Sequence, residues 1–435
     1  MTGRCLARRR GAARFQLAHA RHILVALVVW LPIWSAAAPS DTAGDEPHGA
    51  KRWFNPSTAA FIPIPEVATS PHEGLTLGLI PVFLTTNDRD EIVRIIAPDV
   101  IYSQYFGWGS RFRVFGYPSQ DVQWSLVGGG KQRVEREFDG RYAAGQSRRG
   151  PWTWSAELIY DRSGTSRFFG TGNDTPKSAE TTYVNAQMRL DILVERNLTR
   201  TLQLAYSMRL QDVDVQPGVL PGIPSIETEY SGVSGVGHSH ELLQTLMLTY
   251  DSRDVAPIPR RGARYALYAG VASQALLSSA SYSCVGIDAR YYWPIAERLT
   301  VAWHAGLRYL PAGRDAPFWV LSSLGGDRSV LSEREPLRAY GEDRYIDRNM
   351  FATGVELRTR LLNLHVFGTN LSLEAAPYLD AGQVFADPGH SPVSDLHVAG
   401  GVGIRGVASP FIVGYVDIGY GPDGAAVFTG LDYPF

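Results

Sequence analysis

The sequence predicts an all-β fold: a sixteen-stranded antiparallel transmembrane β-barrel with its sixth extracellular loop folded back inside. Three observations carry this expectation. From Gly74 to the C-terminus the chain runs in segments of about ten residues, apolar and polar side chains alternating, with turn residues between them. Such alternation suits strands with one face toward lipid and the other toward a lumen. The N-terminus reads as an export signal. Aromatic residues also gather near strand ends, among them Tyr102, Tyr105, Trp108, Tyr291, Trp293 and Tyr433, as they do at membrane interfaces. A soluble β-sandwich would alternate similarly, but the export signal and the number of strands argue against it.

Composition narrows the class further. Lys and Arg number 41 and Asp and Glu 43, so no basic footprint for nucleic acid is present. After residue 40 no apolar run has the length of a spanning helix. In order along the chain, Arg8, Arg9, Arg10, Arg14 and Arg21 form a basic lead. The apolar run 23–34 and the small residues Ser35, Ala36, Ala37 and Ala38 follow. Together they make a secretory signal peptide, with cleavage expected after Ala37. Residues 38–73 are expected to be a periplasmic lead-in, largely disordered, with 61–65 tucked under the first strand and no folded periplasmic domain. Cys5 falls in the signal, which leaves Cys284 without a partner for an internal disulfide. In a strand-like run it reads as a small apolar residue.

The barrel is expected over 74–435, with strands at 75–86, 91–104, 109–118, 121–135, 152–162, 181–195, 200–212, 240–252, 262–273, 278–292, 297–310, 350–362, 369–382, 394–406, 410–420 and 425–435. In the eleventh, Leu299, Val301, Trp303, Ala305, Leu307 and Tyr309 share one face, against Thr300, His304 and Arg308 on the other. In the thirteenth, Leu371, Leu373, Ala375, Pro377 and Leu379 oppose Ser372, Glu374, Tyr378 and Asp380. The same phasing turns Glu356 and Arg358 inward. With odd strands running outward from a periplasmic N-terminus, the polar stretch 324–349 becomes the sixth external loop. An arginine of that loop reaching into the lumen would meet carboxylates on two adjacent strands.

Four stretches carry a family resemblance. The loop holds Leu337-Arg338-Ala339-Tyr340 followed by Gly341-Glu342-Asp343-Arg344-Tyr345. The hairpin 250–262 has Asp251, Arg253, Asp254, Pro259 and Gly262 in the spacing Asp-x-Arg-Asp-x-x-x-x-Pro-x-x-Gly. A turn at 167–174 reads Arg-Phe-Phe-Gly-Thr-Gly-Asn-Asp, and the chain ends in Val427 to Phe435. In these motifs the chain resembles the BamA/TamA-type outer-membrane proteins, the bacterial surface antigen family of Gram-negative bacteria. The resemblance implies a loop motif of Leu337, Ala339, Tyr340 and Gly341 around an arginine, Arg338, that locks the loop to Glu356 and Asp380. Ala339 stands where the family has Gly, and a left-handed backbone there would cost about 1 kcal/mol. The resemblance also makes Tyr433 and Phe435 a C-terminal sorting signal, a terminal aromatic on an amphipathic strand offering an edge for pairing.

Other chemistry is not expected. His238-Ser239-His240-Glu241 has no second ligand cluster, and metal sites need one. No Gly-x-Ser-x-Gly elbow occurs, and His72, His304, His365, His390 and His397 are scattered. The chain is therefore expected to be no enzyme and to need no cofactor. The resemblance implies assistance in inserting or translocating proteins at the outer membrane. Its partners would be outer-membrane lipid and lipopolysaccharide, client outer-membrane proteins and a separate periplasmic partner, with no nucleic acid. The first strand suits an opening seam, because Gly74, Gly78 and Pro81 weaken its ladder. A passive channel or structural barrel plugged by its own loop is the alternative, and an outer-membrane hydrolase a third.

Overall fold

The computed structural model describes residues 62–435 apart from 71–73, 88–91, 120, 257, 331–332, 367–368, 409–411, 432 and 434. The expected signal peptide, 1–37, and the lead-in as far as residue 61 lie outside the described residues.

Period-two alternation produces one long antiparallel sheet that closes on itself. Its strands are β1 (Ile62–Ser70), β2 (Gly74–Thr86), β3 (Ile92–Ile96 continued by Asp99–Ser103), β4 (Gly107–Gly116), β5 (Val122–Lys131) and β6 (Arg136–Ala144). Next come β7 (Trp152–Ser163), β8 (Thr181–Asn197), β9 (Leu202–Pro217), β10 (Gly237–Asp251), β11 (Gly262–Ala272) and β12 (Tyr282–Ala296). The last are β13 (Leu299–Ala312), β14 (Asn349–Val366), β15 (Thr369–Phe385), β16 (His397–Ala408), β17 (Ile412–Gly421) and β18 (Gly424–Leu431). Each strand pairs with the next. The sheet closes where β1 meets β18, at Thr69 opposite Val427. Pro98 sits at the break in β3, where a residue without an N–H interrupts the ladder.

Among the described residues the barrel therefore has eighteen strands, not the sixteen expected, and the two additions have clear physical origins. β1 falls in the stretch expected to be a lead-in, of which 61–65, with Pro63 and Pro65, was expected to tuck under the first strand. Proline is tolerated because this strand forms the seam. β6 lies between the expected strands 121–135 and 152–162, in a stretch charged at Glu137, Asp139 and Arg141. They share the inward face, Arg141 pairing with Glu157 of β7 at 2.8 Å, while Phe138 and Tyr142 face outward. Both additions precede the long polar loop, which becomes the seventh at its end of the barrel instead of the sixth.

The two faces divide as the alternation requires. Leu357, Leu379 and Trp303 are exposed on the outside, whereas Glu356, Asp380, His304 and Arg308 are buried within. Short turns mark one end and long loops the other, as in outer-membrane barrels. At the long-loop end an apolar cluster of Phe168, Tyr183, Val213, Val215, Ile226, Phe318 and Ile346 joins the loops that follow β7, β9 and β13. Each such large side chain contributes about 1.5–3 kcal/mol on burial, so these loops pack as a layer over the strand ends. Cys284 is buried on the inner face of β12.

Candidate functional site: a buried arginine cluster in the lumen

The loop 313–348 between β13 and β14 descends into the lumen and builds a small sheet of its own. Ser322–Leu324 pairs parallel with Arg334–Glu335 and antiparallel with Tyr345–Asp347. Leu337, Ala339 and Tyr340 are fully buried against Met350, Ala352, Val384 and Ala399 of the inward strand faces. Gly341 is buried as well, its carbonyl against Gly325. Among the described residues the non-glycine positions with positive φ are Val134, Arg148, Leu277 and Asp343. Ala339 is not one of them, so alanine carries no left-handed strain there. That expected cost is corrected to none.

Burying the tip forces Arg338 to find partners, because an unpaired charge in such surroundings is costly. Its Nε and Nη2 donate to the two oxygens of Asp380 at 2.7 and 2.8 Å, and its backbone N–H donates to the same carboxylate at 3.2 Å. Nη1 donates to Glu356 and, at 3.1 Å, to Asp417. The guanidinium lies 3.6 Å from the ring centre of Tyr378, whose hydroxyl donates to the Arg338 carbonyl at 3.2 Å. Arg405 bridges Glu356 and Asp417 at 2.9 and 3.1 Å, and Arg358 donates to Glu356 at 2.8 Å. Three arginines thus face three carboxylates, all buried. The charges balance and the geometry is two-bonded at Asp380, as a desolvated ion cluster requires.

Phasing turned Glu356, Tyr378 and Asp380 inward and the family resemblance singled out Arg338, but Asp417, Arg405 and Gly419 were missed. The same period-two reading of β16 and β17 would have turned Arg405 and Asp417 inward. Gly419 is needed for close approach: a Cβ there would collide with the Arg338 carbonyl oxygen. A pairing argument blind to the loop's path has no signal for that.

A second set of contacts clasps the loop from above. Arg344 donates to Asp423 at 2.6 Å and to the Thr175 carbonyl at 3.0 Å, and Tyr345 stacks on His397 at 3.9 Å. In the 167–174 turn, Gly172, at φ +121°, donates its N–H to Ile346 at 2.8 Å. Asn173 accepts from the Val384 N–H at 3.0 Å and donates to the Asp395 carbonyl at 2.8 Å. Asp327, whose carboxyl burial holds above its usual range, accepts from the Tyr415 hydroxyl at 2.5 Å.

The C-terminus departs from expectation. β18 ends at Leu431, and Phe435 is buried in the lumen, its ring 4.1 Å from His304. Arg358 donates to the Phe435 carbonyl at 3.3 Å and lies 3.8 Å from the Tyr433 ring, whose hydroxyl donates to Glu374 at 2.8 Å. The terminal aromatics therefore are not on an exposed strand edge. Among the described residues no group of three or more His, Cys, Asp or Glu could hold a metal. His238 instead meets Asp212 at 2.9 Å.

The sequence pattern described as the Omp85 superfamily domain matches residues 121–419. No curated protein matches the chain. Among solved structures the chain is similar to CdiB from Escherichia coli, at 12% identity and a TM-score of 0.50, covering 86% of this chain and 67% of that one. It is also similar to BamA from Haemophilus ducreyi lacking POTRA domains 1–3, at 12% identity and a TM-score of 0.48, covering 81% and 74%.

Proposed function

Because the chain belongs to the Omp85 superfamily, and so is an integral β-barrel of the outer membrane, we propose that it assists protein insertion or translocation at that membrane without catalysing a reaction. The observation that carries this is the seam. β1 is paired with β2 along its whole length, from Ile62 opposite Val82 to Ser70 opposite Gly74. Among the described residues its pairing with β18 is Thr69 opposite Val427. A narrow contact leaves backbone donors and acceptors available to an incoming strand, which can add to an open edge. In this reading the cluster around Arg338 is a lock: it holds the loop in the lumen and the far wall rigid while the seam gives way.

The test is a cross-link. Directly opposed residues lie close enough for a disulfide, so Thr69→Cys with Val427→Cys should oxidise readily. In reconstituted vesicles the oxidised protein should lose assisted insertion of a client barrel and regain it on reduction. Undiminished assistance from the oxidised form would defeat the seam reading. The loop held in the lumen favours a second reading, a passive channel or structural barrel plugged by that loop, for which client-independent ion conductance appearing on Arg338→Ala would be the sign.

A further inference from the structure

We propose that the short-turn rim from the β6–β7 turn to the start of the β14–β15 hairpin is a binding surface for the headgroups of anionic phospholipids. The turns there are linked side by side. Asn197 donates to the Gly150 carbonyl at 2.8 Å, and Arg148 pairs with Asp251 at 2.7 Å. Arg260 donates to the Glu297 carbonyl, which also accepts from Arg360 at 3.0 Å. Segments 145–151, 195–201, 251–261 and 297–298, with Arg360, therefore form one arc. It holds nine arginines against four carboxylates (Glu195, Asp251, Asp254 and Glu297), a surplus of five positive charges in a chain whose net charge is −2. The opposite rim differs in sign: loops 218–236, 386–396 and 422–423 carry Glu227, Glu229, Asp387, Asp395 and Asp423 and neither Lys nor Arg.

Position selects lipid over an acidic protein as the occupant. Trp152, Trp154, Tyr250, Tyr265, Tyr291 and Trp293 are exposed on the outer face at the strand ends beside this arc. Such rings sit at headgroup depth. Arg196 lies on the same outer face, its guanidinium carbon 5.0 Å from the ring centre of Trp152. Arg149, Arg200, Arg261 and Arg298 are exposed around it. A guanidinium at that depth offers two parallel N–H groups to a phosphate diester. The attraction adds along an arc held in register and weakens with salt.

Full-length protein in a nonionic detergent, supplemented with phosphatidylglycerol or with phosphatidylcholine, tests this. The temperature at which the barrel unfolds should rise more with phosphatidylglycerol, and the excess should fall at high salt. Arg196→Gln, Arg200→Gln, Arg261→Gln and Arg298→Gln together should remove most of that excess. Arg133→Gln with Arg314→Gln, exposed at the other rim, should leave it intact. Glycerol 3-phosphate at the same concentration should give no rise, which separates a lipid surface from free phosphate. Native mass spectrometry of the unaltered protein should retain phosphatidylglycerol in preference to phosphatidylcholine, and this readout needs no variant. Equal retention of the two lipids, or an undiminished excess in the fourfold variant, overturns the proposal. So does an excess that appears only with a soluble acidic protein.

Discussion

Arg338 and Asp380 meet as a planar fork against a carboxylate, Nε and Nη2 at 2.7 and 2.8 Å from its two oxygens. Among the described residues Arg338 is the one cation within ion-pair distance of Asp380, whereas Glu356 keeps Arg358 and Arg405. The cluster is thus unequal in its dependence on the loop. Removing one partner of a buried pair costs about 3–5 kcal/mol, and protonation or entering water would relieve part of it. Arg338→Ala is expected to destabilise by about 1–3 kcal/mol and to make the loop protease-sensitive from outside with the barrel still formed. Adding Asp380→Asn should recover more than adding Glu356→Gln, because Asp380 is the carboxylate left alone. Additive effects with a protected loop would show that the arginine holds nothing.

Sterics give a test without any change of charge. Gly419→Ala places a methyl group where the Arg338 carbonyl now sits, so the loop must back out. It should reproduce the protease sensitivity of Arg338→Ala. Gly414→Ala, in the same strand with open space at its Cβ position, should leave the loop protected. Equal behaviour of the two would count against the close approach.

The buried terminal ring predicts graded damage. Phe435→Ala should cost about 3 kcal/mol through lost packing against His304 and Tyr292, while the backbone carbonyl still receives Arg358. Deleting Phe435 loses that bond as well and should lower outer-membrane yield further, with export intact. Yield is read by fractionation. Equal yields for both variants and the unaltered protein would remove the terminal residue from assembly.

A closed ladder resists detergent. Unboiled protein should migrate as a compact species and boiled protein more slowly, and the Arg338→Ala variant should convert at a lower temperature. Identical migration before and after boiling would contradict a closed barrel.

Much of this was legible in the sequence, and the failures share a cause. Period-two phasing placed Trp303, Leu357 and Leu379 outside and Glu356 and Asp380 inside, because each strand decides its faces locally. It failed where the deciding neighbour is remote. Charges at Glu137, Asp139 and Arg141 looked like a loop until the opposing carboxylates and arginines of the inner wall were known. The stretch with Pro63 and Pro65 was expected only to tuck under the first strand, whereas in the structure it is β1 and forms the seam. The inward turn of Phe435 depends on Arg358 and His304, contacts that no local pattern encodes.

The partners of Arg338 also impose an order on assembly. Glu356, Asp380 and Asp417 lie 18, 42 and 79 residues further along the chain. A barrel still lacking β17 therefore holds the loop arginine with an incomplete and unbalanced set of carboxylates. Low-dielectric surroundings penalise that imbalance, so the loop is expected to settle after the penultimate strand has docked. Charge balance around the loop arginine therefore requires nearly the whole circumference to be present.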